Sequence, residues 1–155
     1  MEEELDKRHE ISILYCDILD MGYIVRVQAT GKSMKPFLKD GDILYIRKVI
    51  PSSLNVGDII LFKDAFGQPI AHRIVKKIRD ISGRFRFQTK GDALNSFDDF
   101  ISEDVIRGKV YMIERRFEDR IFYINLESLR WRLISYYKVF KSILRMILSS
   151  VRRVS

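Results

Sequence analysis

The spacing of apolar residues changes twice along the chain, and these changes predict three structural segments. Both ends have the three- and four-residue spacing of amphipathic helices, whereas the region between them has short β-branched and aromatic runs separated by turn residues. We therefore divide the chain into an N-terminal helix (1–22), a β-rich domain (23–124) and a C-terminal amphipathic helix (125–155).

The first segment is predicted to be helical over residues 4–21. Its apolar side chains recur at helical spacing: Ile11, Leu14, Tyr15, Ile18 and Leu19. Gly22 is expected to end the helix, and His9 is expected to be a surface residue in its polar first turns.

The middle region predicts a mainly β fold, a compact antiparallel domain or partly closed barrel. The expected strands are residues 23–29, 43–48, 58–63, 70–77, 85–90 and 108–114. Residues 64–69 and Ser82-Gly83 have the composition of hairpin turns.

The C-terminal segment has an apolar face and a cationic face. The apolar positions are Leu126, Leu129, Leu133, Tyr136, Tyr137, Phe140, Leu144, Ile147 and Val151. The cations opposite are Arg130, Lys138, Lys141, Arg145 and Arg152, with Glu127 as the single acid of residues 125–154. One interpretation is a helix lying in an anionic membrane surface, and one-sided positive charge favours it. The alternative is a helix whose apolar face docks on the β domain or on another copy of the chain.

Composition limits the remaining classes of function. The 155 residues fit one folded domain, and the net charge of +7 suits nucleic acid, anionic lipid or acidic substrates. Nucleic acid explains the charge less well, because the cations concentrate on a helix whose other face is apolar. The lone Cys16 forms no internal disulfide and is expected to be a small buried side chain. With two separated histidines and one cysteine, we expect no metal site and no cofactor.

The N-terminus predicts a location. Met1 is followed by an acidic stretch, which is the wrong polarity for a secretory signal peptide, and no charge-free run reaches about 18 residues. We expect a protein that is cytoplasmic or peripherally attached to the cytoplasmic membrane.

Candidate catalytic residues occur in the order serine, histidine, aspartate, each beside a predicted strand. Ser33 lies in a polar turn, His72 lies in a strand-like run, and Asp92 follows Lys90-Gly91. A serine hydroxyl is a poor nucleophile at neutral pH and needs a nearby base, a task that histidine performs near pH 7.

This succession resembles the signal peptidase I family and its relatives, the self-cleaving SOS-response repressors. The resemblance rests on the Ser33-Met34-Lys35-Pro36 box, two Gly-Asp strand starts, the His72-Arg73-Ile74-Val75 box and the Lys90-Gly91-Asp92 box. These boxes cover roughly residues 23–113. The chain is most similar to the endoplasmic-reticulum and archaeal type, in which histidine replaces the lysine of most bacterial enzymes. The resemblance implies a serine endopeptidase that cleaves leader or precursor peptides, with residues 23–124 as the peptidase domain.

The resemblance also implies roles for individual residues. Ser33 is the nucleophile, His72 the general base, and Asp92 and Asp98 the acids of the Lys-Gly-Asp region, with Asp99 close behind. Which aspartate orients His72 stays open. Backbone N–H groups of Ser33 and a neighbour are the expected oxyanion donors. Gly31 stands where many members carry a hydroxyl, so either Thr30 or the backbone alone takes that role, or the site is weaker.

The sequence also suggests the surroundings of four further side chains near these boxes. Met34 and Phe37 belong either to a substrate pocket for small side chains or to the core. Lys63 and Lys90 are expected to be solvent-exposed.

Two alternatives to a leader peptidase remain. In the first alternative, the chain is a regulatory peptidase that cleaves itself, although about twenty residues before the β domain are too few for a DNA-binding module. Otherwise it is a catalytically inactive module of the same fold that binds peptides. In each case the partner is a peptide or protein, and residues 125–155 are a possible contact with an anionic membrane surface.

Overall fold

The mainly β fold is confirmed. The computed structural model describes residues 14–64 and 67–151. The strands are β1 (Val25–Gln28), β2 (Ile43–Arg47), β3 (Ile59–Lys63), β4 (Pro69–Arg79), β5 (Phe85–Lys90), β6 (Phe100–Ser102), β7 (Ile106–Phe117) and β8 (Arg120–Asn125). Residues 14–20 form helix α1, Leu129–Val151 form helix α2, and Pro51–Ser53 and Glu103–Val105 are short 3-10 helices.

Several sequence expectations lie outside the described residues. They are the part of the predicted first helix before residue 14, the surface position of His9, the turn residues 65 and 66, and the cation at position 152. The side chains of Ile147 and Val151 are also outside the described set.

Strand β7 organises an antiparallel, curled half-barrel sheet. It pairs along one edge with β2 and along the other with β3 and β8, and the main path runs β1-β2-β7-β3-β4-β5-β6. Register shifts interrupt the β2–β7, β3–β7 and β4–β5 ladders. Such irregularities increase local twist and bend strands, and so favour the curl of the sheet.

Both faces of the central strands are buried. Ile59 packs in a core cluster with α1 and α2, whereas its neighbour Ile60 packs in a second cluster on the other face. Adjacent strand residues point to opposite sides, so β3 separates the two clusters. The larger cluster contains Leu19, Val25, Met34, Phe37, Leu38, Leu44, Ile46, Ile59, Leu61, Val110, Ile113 and Leu126.

The sequence analysis did not predict two of the strands, and it placed the start of the C-terminal helix too early. The missed strands are β6, which has three residues, and β8, whose apolar run lacks alternation. Helix α2 begins at Leu129 instead of 125, because Asn125 ends β8 and organises the following turn. Its Oδ1 accepts the Glu127 N–H at 2.9 Å, and its carbonyl accepts the Ser128 hydroxyl at 2.9 Å. Across the described chain, neither helix combines the length and the apolarity that a membrane span requires.

Helix α2 presents its apolar face to solvent. Trp131 and Ile134 pack against the larger core cluster, and Ser135 and Val139 are buried. The exposed side chains are Leu129, Leu133, Tyr136, Tyr137, Phe140, Ile143, Leu144 and Leu148. For these side chains, docking on the β domain, which was one part of the alternative interpretation, is wrong; the exception is Leu126, which precedes the helix and is 9% exposed.

Candidate active site

The loop that carries Ser33 joins β1 to β2 and is closed by Asp42. The Ala29 N–H donates to the Asp42 carbonyl at 2.7 Å, and the Asp42 carboxylate accepts Arg115 Nε at 2.9 Å and Nη2 at 2.7 Å. Arg115 Nη2 also donates to the Phe37 carbonyl at 2.7 Å. Asp42 is only 3% exposed, so this ion pair fixes the base of the loop.

The loop is also anchored by its own apolar residues. Met34, Phe37 and Leu38 are at most 8% exposed and belong to the larger core cluster. Met34 and Phe37 are thus core residues, and Met34 additionally lines the cavity described below. Ser33, which directly precedes this anchored stretch, is half-buried.

His72 lies in β4 and binds Asp98. Its Nδ1 is 2.7 Å from Asp98 Oδ2, and the same oxygen accepts the Thr89 hydroxyl at 2.7 Å. The Asp98 N–H donates to the Thr89 carbonyl at 2.9 Å, which fixes the acid against β5. His72 is only 5% exposed. Asp98, in the loop that follows β5, therefore binds an imidazole that is almost completely buried.

The environment of Asp98 favours its ionised form. Burial alone would raise the pKa of this carboxyl group, but the hydrogen bonds from His72 and Thr89, with the charges of His72 and Lys90, lower the pKa below its usual value. An ionised carboxylate only accepts hydrogen bonds, so His72 Nδ1 must be the donor. In the neutral ring this leaves Nε2 unprotonated and able to act as a base.

Asp92 forms an ion pair with Arg73, the neighbour of His72 in β4. Arg73 Nε donates to Asp92 Oδ1 at 2.9 Å and Nη2 to Oδ2 at 2.8 Å, a bidentate pair in which the Arg73 side chain is 2% exposed. Arg73 Nη1 donates to the Gly57 carbonyl and to Ser135 Oγ of α2, both at 2.9 Å. The guanidinium carbon lies 4.5 Å from the centre of the Phe37 ring. Arg73, with Asp92 as its partner, therefore joins the serine loop, the sheet and α2.

The serine loop and the loop that follows β5 touch directly. The Ala93 N–H donates to the Ser33 carbonyl at 2.8 Å. A Cβ atom placed on Gly91 would lie 2.7 Å from the same carbonyl oxygen and 2.9 Å from Leu94 Cγ. Glycine is required at position 91 because the two loops approach closely there.

Ser33 and His72 line one cavity of about 430 Å³. Its walls come from α1, the serine loop, β1 to β4, the loop after β5 and the start of β7, and they are mainly apolar. The lining includes Tyr15, Cys16, Val27, Ala29, Gly31, Met34, Leu44, Leu61, Ile70, Ala71 and Leu94, with Lys39, Lys63 and Arg107 as its charged members. Within the described residues, the Ser33 hydroxyl makes no hydrogen bond, and Nε2 of His72 makes none. Catalytic hydrogen bonds commonly tighten only when substrate binds.

Gly31, Ser33 and Met34 contribute neighbouring parts of the cavity lining. Gly31 has a φ of +91°, which favours glycine, although a Cβ there would meet nothing within 4 Å. Backbone conformation therefore explains the glycine at this position. In the described part of the chain, the N–H groups of Ser33 and Met34 have no protein acceptor, as oxyanion donors require.

Three neighbours of the site were missed or misjudged from the sequence. Thr89, Arg73 and Lys90 are all at most 5% exposed. The expectation that Lys90 is solvent-exposed is wrong, and its burial lowers the pKa of the amine. The alternation of β5 indicates that Thr89 shares the buried face of Phe87, but nothing in the local sequence distinguishes a buried lysine at a strand end. Among residues 14–64 and 67–151, no three His, Cys, Asp or Glu side chains converge as a metal site would require.

The chain is similar to catalytic subunits of signal peptidase complexes. No family model matches it. The signal peptidase complex catalytic subunit SEC11 of Eremothecium gossypii is 43% identical over 68 residues, which are 43% of this chain and 40% of that protein. The SEC11C catalytic subunits of Homo sapiens and Canis lupus familiaris are each 35% identical over 68 residues, which are 35% of each relative. The match thus spans less than half of the length of these relatives, and over that part it confirms the resemblance expected from the sequence boxes.

Asp92→Asn is expected to lower the free energy of unfolding by about 3 kcal/mol, because it leaves the buried Arg73 charge without its anionic partner. Chemical denaturation at neutral pH measures the effect. Asp104→Asn is the matched control, since Asp104 is 70% exposed and 3.8 Å from an exposed Arg84. Equal stability of the two variants would contradict a structural role for the Arg73–Asp92 pair.

The contribution of Asp98 to stability is expected to depend on pH. Its pKa is lowered in the folded state, so the stabilisation is present above the unfolded pKa of about 3.9 and is lost as pH falls through the lower folded value. Denaturation of wild type and Asp98→Asn across a pH series should show a difference that is largest near neutrality and shrinks in acid. Asp99→Asn, at the exposed neighbouring position, serves as control. A difference that grows towards acid would contradict the assigned direction.

Proposed function

We propose that the chain is a serine endopeptidase that resembles signal peptidase I. In this proposal Ser33 is the nucleophile, His72 the general base, and Asp98 the acid that orients His72. The observation that carries the proposal is the 2.7 Å contact between His72 Nδ1 and Asp98 Oδ2, beside a cavity that Ser33 also lines. Of the aspartates that the sequence left open, the geometry supports Asp98, because the carboxylate of Asp92 is engaged by Arg73.

The proposed reaction proceeds through an acyl-enzyme. His72 Nε2 accepts the Ser33 hydroxyl proton while Oγ attacks the peptide carbonyl, and the Asp98 carboxylate stabilises the resulting imidazolium. Backbone N–H groups of Ser33 and Met34 stabilise the oxyanion. The imidazolium then donates its proton to the leaving amine. Water, deprotonated by His72, hydrolyses the ester and regenerates the Ser33 hydroxyl.

We further propose that the substrate is an extended leader or precursor peptide with small apolar side chains near the cleaved bond. Ala29, Gly31 and Ala71 narrow the cavity less than larger residues would, and Met34 supplies an apolar surface next to Ser33. A cavity of about 430 Å³ is in the range of ligand pockets and has room for a short stretch of peptide. The substrate would meet the enzyme at an anionic membrane surface through the C-terminal segment.

Ser33→Ala and His72→Ala are each expected to reduce cleavage of a leader-peptide library by at least roughly a thousandfold, because each removes one member of a unit that acts together. Mass spectrometry of the products measures cleavage. Ser82→Ala, in the exposed hairpin between β4 and β5, is the matched control. Retained cleavage in either site variant, with the fold intact, would overturn the mechanism.

Asp98→Asn is expected to lower kcat on the order of a thousandfold, because the amide no longer holds the reactive tautomer of His72. The Asp99→Asn control is expected to retain full activity. Normal kcat in Asp98→Asn would reject the role of Asp98.

Intact-mass measurement of protein incubated without substrate distinguishes the self-cleaving alternative, which yields two fragments.

A further inference from the structure

Helix α2 has an outer face of large apolar side chains that no described part of the chain covers. Leu129 is 75% exposed, Leu133 60%, Phe140 63% and Leu148 54%. Their spacing of four, seven and eight residues places them along one side of the helix. Single exposed apolar residues are ordinary, but a continuous row of this length marks an interaction surface.

The opposite side of α2 is fixed to the β domain. Trp131 packs edge-to-face on Phe37 with ring centres 5.9 Å apart, and Ser135 accepts a hydrogen bond from Arg73. Lys138 Nζ lies 3.7 Å from Asp92 Oδ2. Trp131, Ser135 and Lys138 follow three- and four-residue spacing, so they define the inner face. Because the inner face is held by these contacts, the outer face cannot turn inward without breaking them.

The C-terminal segment also carries the net positive charge of the chain. The chain has 28 Lys and Arg residues and 21 Asp and Glu residues, and residues 128–155 hold seven of the former and none of the latter. Residues 1–127 therefore contain 21 of each sign, and the whole net charge of +7 comes from the C-terminal segment. Such a distribution favours an anionic partner, which the docking of α2 on the β domain does not require.

The cations lie where they can accompany an apolar contact. Arg130 and Arg132 are the sequence neighbours of the inward-facing Trp131. Each lies about 100° from Trp131 around the helix axis, so the two arginines are on opposite flanks of the helix. Both are exposed, as are Lys141 and Arg145. Long cationic side chains on the flanks of a buried apolar face can reach lipid headgroups. Tyr136 and Tyr137, exposed on the outer face, are residues that favour the boundary between water and lipid.

We propose that the outer face of α2 binds the surface of an anionic lipid bilayer, lying in the plane of the interface while its inner face stays on the β domain. Apolar side chains such as Leu133 and Phe140 enter the acyl boundary, and the flanking cations contact anionic headgroups. A second copy of the chain would bring the same excess of positive charge to the contact, whereas an anionic bilayer would neutralise it. This inference deepens the membrane part of the proposed function, but it does not depend on catalysis. Loss of lipid binding and loss of peptidase activity are therefore separate outcomes.

Cosedimentation of the full chain with vesicles tests the proposal. We expect binding to mixed phosphatidylcholine–phosphatidylglycerol vesicles, little binding to pure phosphatidylcholine, and weakening by added salt. The double variant Leu133→Ser/Phe140→Ser should bind roughly tenfold or more weakly, because two large apolar side chains no longer leave water. Ile81→Ser is the control, since Ile81 is fully exposed in the hairpin between β4 and β5.

A second pair of variants tests the charges. Arg130→Gln/Lys141→Gln should weaken binding to the mixed vesicles, whereas Arg79→Gln/Arg84→Gln, which removes two exposed cations elsewhere, should not. The thermal unfolding midpoints of all variants report that the fold is retained. Ser33→Ala should bind vesicles as wild type does.

Three results would overturn the proposal. The first is absence of vesicle binding by the wild type, and the second is equal binding by the outer-face variant. The third is a dimer in sedimentation velocity that Leu133→Ser/Phe140→Ser dissociates while vesicles remain unbound, which would assign the face to a second copy.

Discussion

The buried ion pair between Arg73 and Asp92 is the interaction on which the site depends. Arg73 stands beside His72 in β4, pairs across the sheet with both β3 and β5, and reaches the Gly57 carbonyl, Ser135 and the ring of Phe37. A buried guanidinium is costly unless its donors are satisfied, and here four of its five N–H groups donate to two carboxylate oxygens, a carbonyl and a hydroxyl. Such a pair adds less to stability than to specificity of arrangement, because these bonds form only when Gly57, Asp92 and Ser135 all surround the same guanidinium.

The sequence predicted most of the strands of the sheet and the family resemblance. Phe85–Lys90 was predicted with its observed bounds, since alternating Phe85, Phe87 and Thr89 show the period of a half-buried strand. Ser33 and His72 were singled out as candidate site residues because each lies in a motif whose order along the chain is informative. Over the part of the chain that matches them, the signal peptidase subunits bear out that resemblance.

What the sequence left open depended on three-dimensional contacts. Asp92 and Asp98 are both acids near the same strand, and only the direction of Arg73 and His72 towards them separates their surroundings. Lys90 was misjudged because lysine is seldom buried, and its burial results from the packing of β5 against neighbouring elements. The apolar stripe of α2 was recognised, but periodicity gives the stripe without saying which way it faces. The orientation of the helix is set by two contacts with the β domain. Ser135 accepts a hydrogen bond from Arg73, and Lys138 lies beside Asp92.

The contact between the serine loop and the Gly91 loop has a practical consequence. The loops are joined through the Ser33 carbonyl and the Ala93 amide, and the hydroxyl of Ser33 takes no part in that bond. Removing the hydroxyl therefore leaves the walls of the cavity in place. If Ser33 is the nucleophile, as proposed, a variant made in this way loses cleavage while it keeps the cavity, and is suited to capturing uncut cellular polypeptides for identification.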